Sequence, residues 1–168
     1  MGSARQIREM KLAPVFVAVM KDDVPAVRAL LESGVDPNSR DRDARTPLMY
    51  AVVDGKLNVF GLLATYPGVD LNAQDKSGNS ALHFAAQDYR VAEAETLLKL
   101  QARVDARDSY GNTPLWRAVF NSQGRGEIIR LLLAHGADPN SKNDKGKSPI
   151  DAARVIANFD VAQHFKGE

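Results

Sequence analysis

Four short segments of the chain recur at an almost constant distance. Thr46-Pro47-Leu48, Ser80-Ala81-Leu82, Thr113-Pro114-Leu115 and Ser148-Pro149-Ile150 start 34, 33 and 35 residues apart. Eight residues before each start stands Asn38, Asn72, Asp105 or Asn140, so a second register runs in step with the first. A period in the range of about 20–50 residues marks stacked units, none of which completes a core alone, so that neighbours together bury one continuous core.

Each part of the period has a physical task. A Thr or Ser hydroxyl accepts from a free backbone N–H at a helix start. A following Pro suits the first helical position, where its missing N–H costs nothing. Leu or Ile then points inward, and a small residue three later (Ala51, Ala85, Ala118, Ala153) lets neighbouring helices come close. The pairs Leu30-Leu31, Leu62-Leu63 and Leu97-Leu98 and the run Leu131-Leu132-Leu133 mark a second helix. Gly34 and Gly136 follow it where a left-handed C-terminal cap belongs. Ser77-Gly78, Tyr110-Gly111 and Lys145-Gly146 read as tight turns whose glycine takes a positive φ.

The unit is therefore helix, turn, helix and a projecting hairpin-like loop, and it resembles the ankyrin repeat with its Thr-Pro-Leu-His-x-Ala signature. Thr46-Pro47-Leu48-Met49-Tyr50-Ala51 and Thr113-Pro114-Leu115-Trp116-Arg117-Ala118 keep all but the histidine, and Ser80-Ala81-Leu82-His83-Phe84-Ala85 keeps the histidine and loses the proline. A Gly-Ala-Asp-x-Asn closing motif stands as Gly136-Ala137-Asp138-Pro139-Asn140 and, varied, as Gly34-Val35-Asp36-Pro37-Asn38. The resemblance implies an all-α solenoid of about five helix-turn-helix repeats with projecting hairpin loops. It places an extension at 1–13, one ankyrin repeat domain at 14–165 with repeats 14–45, 46–79, 80–112, 113–147 and 148–165, and a tail at 166–168. The two end repeats depart from the pattern as caps do. Extra residues fall around Tyr66-Pro67-Gly68 and, as a flexible inter-helix insertion, around Gln123-Gly124-Arg125-Gly126. The short length is similar to that of small bacterial ankyrin proteins.

Of the 168 residues 44% are hydrophobic, and 22 basic residues face 21 acidic ones. That apolar fraction builds a core, and the near-balance removes any global pull toward nucleic acid or anionic lipid. There is no cysteine, hence no disulfide, thiolate metal site or cysteine nucleophile. No apolar run approaches the roughly 18 residues of a membrane span. Arg5, Arg8 and Lys11 before the run Leu12–Met20 imitate a signal peptide, yet Lys21-Asp22-Asp23 follows in place of a cleavage site, so the run reads as the first core helix. The default compartment is cytoplasmic.

Catalysis has no coherent residue set. His83 occupies the signature position, where the resemblance implies hydrogen bonding that orders the adjacent loop. His135 closes a helix before Gly136, and His164 reads as a surface residue near the end. No two histidines have zinc-site spacing, Gly124-Arg125-Gly126 lacks the Walker context, and no nucleophile elbow exists. The expectation is a non-enzyme without metal or cofactor.

The resemblance implies instead that another protein docks on the hairpin tips and the inner-helix face, which form a concave palm. Carried over by register, the candidate contacts are Arg42, Asp43 and Arg45, then Lys76, Ser77 and Asn79, then Ser109, Tyr110 and Asn112. On the helices they are Val53 and Asp54, Gln87 and Asp88, Phe120 and Asn121. Tyr110 at a turn tip reads as a binding anchor. Trp116, in the histidine's place, has two open readings, packed substitute or groove residue. For Tyr50 and Phe84 burial between repeats is favoured. Lys142, Lys145 and Lys147 make a basic tip, whereas Arg40-Asp41-Arg42-Asp43-Ala44-Arg45 alternates in sign, as self-paired solvated loops do, and argues against nucleic acid. The function expected is a monomeric protein-binding module. An immunity-type neutraliser of a toxin, and a targeting subunit or effector that positions an enzyme, are the alternatives.

Overall fold

The computed structural model describes residues 12–156 and 160–165. The expected extension with Arg5, Arg8 and Lys11, and the tail 166–168, lie outside the described residues apart from Leu12 and Ala13. Helices come in pairs: α1 (Pro14–Met20) with α2 (Val24–Glu32), α3 (Pro47–Val53) with α4 (Leu57–Ala64), α5 (Ala81–Gln87) with α6 (Val91–Lys99), and α7 (Pro114–Phe120) with α8 (Glu127–Ala134). Helix α9 (Pro149–Val155) is followed by a 3₁₀ helix, Val161–Phe165, in the place of a second α-helix. No strand is present among the described residues.

The odd-numbered helices start where the sequence places a cap. Thr46, Ser80, Thr113 and Ser148 each accept from the backbone N–H three residues on, at 3.2–3.4 Å. Helix α1 has Ala13 at this position and no side-chain cap, only Pro14 at its first turn. The odd helices stack as an inner row and the even ones as an outer row, each helix packing on its pair-mate and on the next of its row. The small residues of the signature make this approach possible: Ala51, Ala85 and Ala118 have no exposed surface and Ala153 is 3% exposed. Leu63, Leu97, Leu115 and Leu132 are likewise sealed, and one cluster runs from Val15 to Val161.

Hydrogen bonds from the second register tie the first three joins. Asn38 accepts from the Asp70 N–H at 2.8 Å and donates to the Gly68 carbonyl at 2.8 Å. Asn72 accepts from the Arg103 N–H at 2.7 Å, and Asp105 accepts from the Asp138 N–H at 3.2 Å. In these three repeats the polar residue eight before the cap thus holds the start of the next loop.

The insertion at 123–126, expected as a flexible segment, carries contacts to the repeats on both sides. Tyr89 donates its hydroxyl to the Arg125 carbonyl at 2.7 Å, and the Arg125 guanidinium lies 3.9 Å from the Tyr89 ring centroid. Burial pushes the Tyr89 hydroxyl up to about 12. His164 is not a free surface residue. It is half-buried and accepts from Arg130 at Nδ1, 3.0 Å, which leaves Nε2 to donate to the Gly124 carbonyl at 3.0 Å. The 3₁₀ helix is clamped in this way onto the insertion.

Candidate functional site

The hairpins are built around one residue five positions before each cap: Asp41, Asp75, Asp108 and Asn143. In each, Oδ1 accepts from the backbone N–H groups two and four residues on, at 2.8–3.0 Å. This closes the turn and sets residues 42–43, 76–77, 109–110 and 144–145 at its tip. Successive tips are linked by backbone bonds, Lys76 N–H to the Asp43 carbonyl, Ser109 to Ser77 and Asp144 to Tyr110, at 2.9–3.0 Å. The turns need a left-handed residue, with φ +76° at Gly78 and +60° at Ala44, which stands where the other hairpins carry glycine.

The second oxygen of each carboxylate also has a partner. Tyr50, nine residues after Asp41, donates its hydroxyl to Oδ2 at 2.8 Å. Arg117, nine after Asp108, donates to Oδ2 at 2.6 Å. Phe84, at the same place after Asp75, has no donor. Arg45 of the preceding hairpin reaches Asp75 instead at 3.8 Å, its guanidinium 5.5 Å from the Phe84 ring centroid. Burial works to raise the Asp108 carboxyl, but donors from the Asn112 and Tyr110 backbone and from the Arg117 and Asn112 side chains prevail and hold it below the usual range.

His83 sits behind this row, 1% exposed. Its Nδ1 accepts from the Ser80 N–H at 3.1 Å, so Nε2 carries the proton and donates to the Asn112 carbonyl at 3.1 Å. The ring therefore joins one helix start to the next hairpin, in the loop-ordering role that the resemblance implies. Burial lowers its pKa, against the opposing effect of that backbone bond.

The expected contact residues divide into three groups. Arg42, Asp43, Lys76, Ser77, Asp54, Asp88, Ser109, Tyr110 and Phe120 are exposed, with Tyr110 at 65% and Phe120 at 64%. Arg45, Val53, Asn79, Gln87, Trp116 and Asn121 are half-buried. Among them Asn79 and Gln87 each accept from Arg117 at 3.3 Å, and Asn121 donates to the Arg117 carbonyl at 2.9 Å. Asn112 departs from the expectation. It is 7% exposed, donating to Asp108 at 3.2 Å and accepting from the Asn143 amide at 2.8 Å. These bonds hold it inside the hairpin stack.

Tyr50 and Phe84 are buried between helices, Tyr50 with its ring 5.1 Å from that of Phe16. Trp116 combines its two readings. It is half-buried and stacks on Phe120 with centroids 5.0 Å apart and planes at 11°. Its Nε1 is buried without an acceptor, so packing alone holds the ring. The pair forms one wall of a groove of about 500 Å³ between α7 and α9, with Ala152, Val155 and Ile156 opposite and Lys147, Asp151 and Arg154 at its edge. Trp116 and Phe120 stand out in the sequence, but the opposite wall of the groove and Arg117 do not. Arg117's sole signal is a cation at the inner-helix place that holds Tyr50 and Phe84 in the other repeats.

Inner and outer helical rows joined by a ladder of capped hairpins define a helical repeat solenoid. The chain belongs to the ankyrin repeat family: the family model described as ankyrin repeats (3 copies) matches residues 3–75 and 62–143. Putative ankyrin repeat protein YahD of Escherichia coli (strain K12) is 26% identical over 153 residues, 89% of this chain and 76% of that protein. The SH3 and multiple ankyrin repeat domains protein 2 of Homo sapiens is 28% identical over 141 residues, 84% of this chain. A probable serine/threonine-protein kinase of Dictyostelium discoideum is 30% identical over 132 residues, 74% of this chain. The chain spans only 8% of the human protein and 16% of the kinase. Among the described residues no helix is long and apolar enough to cross a membrane.

Proposed function

We propose that the chain is a non-catalytic module that binds a partner protein on the concave face made by the hairpin tips and the inner helices. One observation carries the reading. Tyr110 and Phe120 keep about two-thirds of their surface in solvent, 65% and 64%, while the framework beneath them is buried and hydrogen-bonded. Large aromatic side chains on a rigid support lose little freedom on binding, which suits them as anchors. The flanking contacts are Arg42, Asp43, Lys76, Ser77, Asp88 and Ser109, with Arg45, Asn79, Gln87 and Asn121 behind them. The same reading takes the repeats as 14–45, 46–79, 80–112, 113–147 and 148–165 of a cytoplasmic monomer that uses no cofactor.

Affinity capture from the source lysate with mass-spectrometric identification tests it, against a variant carrying Arg42→Ala, Lys76→Ala and Tyr110→Ala. A stoichiometric protein captured by the parent chain and lost with the variant supports the assignment, and equal capture by both overturns it. The activity of that protein in the complex then separates neutralisation from targeting.

A further inference from the structure

The groove between α7 and α9 is chemically unlike the rest of the face. Phe120 is 64% and Val155 78% exposed, an apolar area that association would cover. The Phe120 ring stacks on Trp116 and keeps most of its surface in solvent, so it offers a flat apolar wall. The edge is unbalanced in charge. Asp151 is engaged by its own helix start, accepting from the Ser148 hydroxyl at 2.7 Å and the Ser148 N–H at 3.1 Å. Lys147 and Arg154 are exposed and form no hydrogen bond or close ion pair with the described residues, yet the charges of both help to hold the Asp151 carboxyl below its usual range, so two cations face one carboxylate. On the same side Arg45 is matched with Asp75, Arg107 with Asp144 and Arg117 with Asp108, while the tip residues Arg42 and Lys76 make no ion pair with the described residues.

An apolar wall beside two cations that face a single carboxylate asks for an apolar side chain next to a further carboxylate. Resting on the concave-face reading, we infer that this groove receives an acidic peptide segment of the partner, with an aromatic or aliphatic side chain against Phe120 and Val155 and a neighbouring Asp or Glu between Lys147 and Arg154. A single-stranded nucleic acid also pairs stacking with cations, but it needs a basic track along its backbone. Here, among the described residues, Lys147 and Arg154 are the only cations lining the groove, Asp151 already stands beside them, and the net charge of the chain is only +1.

Trp116 is the one tryptophan of the chain, so its fluorescence reports this groove alone. A phage-displayed library of random 16-residue peptides is selected on the full chain, and enriched peptides are synthesised and titrated while Trp116 emission is followed. The expected result is enrichment of Asp or Glu within a few residues of Phe, Trp, Leu or Ile, with a change of Trp116 emission on binding. Phe120→Ser then weakens binding about tenfold or more. Lys147→Glu with Arg154→Glu shifts the selection to basic peptides, circular dichroism showing both variants folded.

Peptides without acidic residues, no enrichment, or binding indifferent to Phe120→Ser would each overturn the inference. So would tight binding of a fluorescein-labelled twelve-residue oligothymidine lost in Phe120→Ser, which would assign the groove to nucleic acid. If the peptides depend on Arg42, Lys76 and Tyr110 but leave Trp116 emission unchanged, the concave-face reading stands and the groove assignment falls. If they depend on neither set, both fall.

Discussion

Arg117 places its guanidinium 2.6 Å from Oδ2 of Asp108, whose side chain has no exposed surface. The same Asp108 closes the hairpin through its other oxygen. Arg117→Met leaves a buried carboxylate without its cation, and a loss of about 3 kcal/mol is expected. Urea denaturation measures it. Arg117→Met with Asp108→Asn removes the charge as well and should recover part of the loss.

The acid limb of stability follows from two groups with lowered folded-state values. The Asp108 carboxyl is held below the usual range, so its contribution is complete above the unfolded value of about 3.9 and disappears as pH falls through the folded value. His83 is neutral in the fold and lowered by burial. The unfolded chain takes up its proton first as pH falls below about 6.5, so stability declines from there toward the folded value. Melting temperatures between pH 7.5 and pH 5 should fall less in His83→Gln than in the parent chain.

Backbone handedness separates two substitutions at one register. A Cβ on Gly78 would lie 2.8 Å from the Ser109 nitrogen and 2.9 Å from the Asp108 Cα, in addition to the strain of φ +76°. Gly78→Ala should cost more than about 2 kcal/mol. Ala44 already bears that strain at φ +60°. Ala44→Gly should add about 0.5–1 kcal/mol, the relief of strain exceeding the entropy cost of glycine. Thermal melts of the two variants decide both signs.

Leu97 is fully buried where the outer helices meet. Leu97→Ala should destabilise by about 2–5 kcal/mol, as read by denaturant titration.

The helix caps, the small inner residues and the paired leucines were legible in the sequence because each is a local signal repeated in step. Asp41, Asp75, Asp108 and Asn143 are equally periodic, but they are turn signals rather than helix signals, and a reading centred on helices passes over them. Asn112 was misplaced because what buries it, the amide of Asn143, lies 31 residues on and meets it only through stacking. The Trp116–Phe120 groove was half legible: both residues stood out, while the wall formed by Val155 at the end of the next inner helix and by Ile156 just after it did not.

At each join the hairpin tips share a single backbone hydrogen bond, from Lys76 to Asp43, Ser109 to Ser77 and Asp144 to Tyr110. Side-chain bonds cross the same joins, from Arg40 to the Gln74 carbonyl, from Gln74 to the Arg107 carbonyl and from Arg107 to the Lys142 carbonyl. The tips are thus laced to one another. A load placed on one tip would be passed along the row instead of being borne by a single turn.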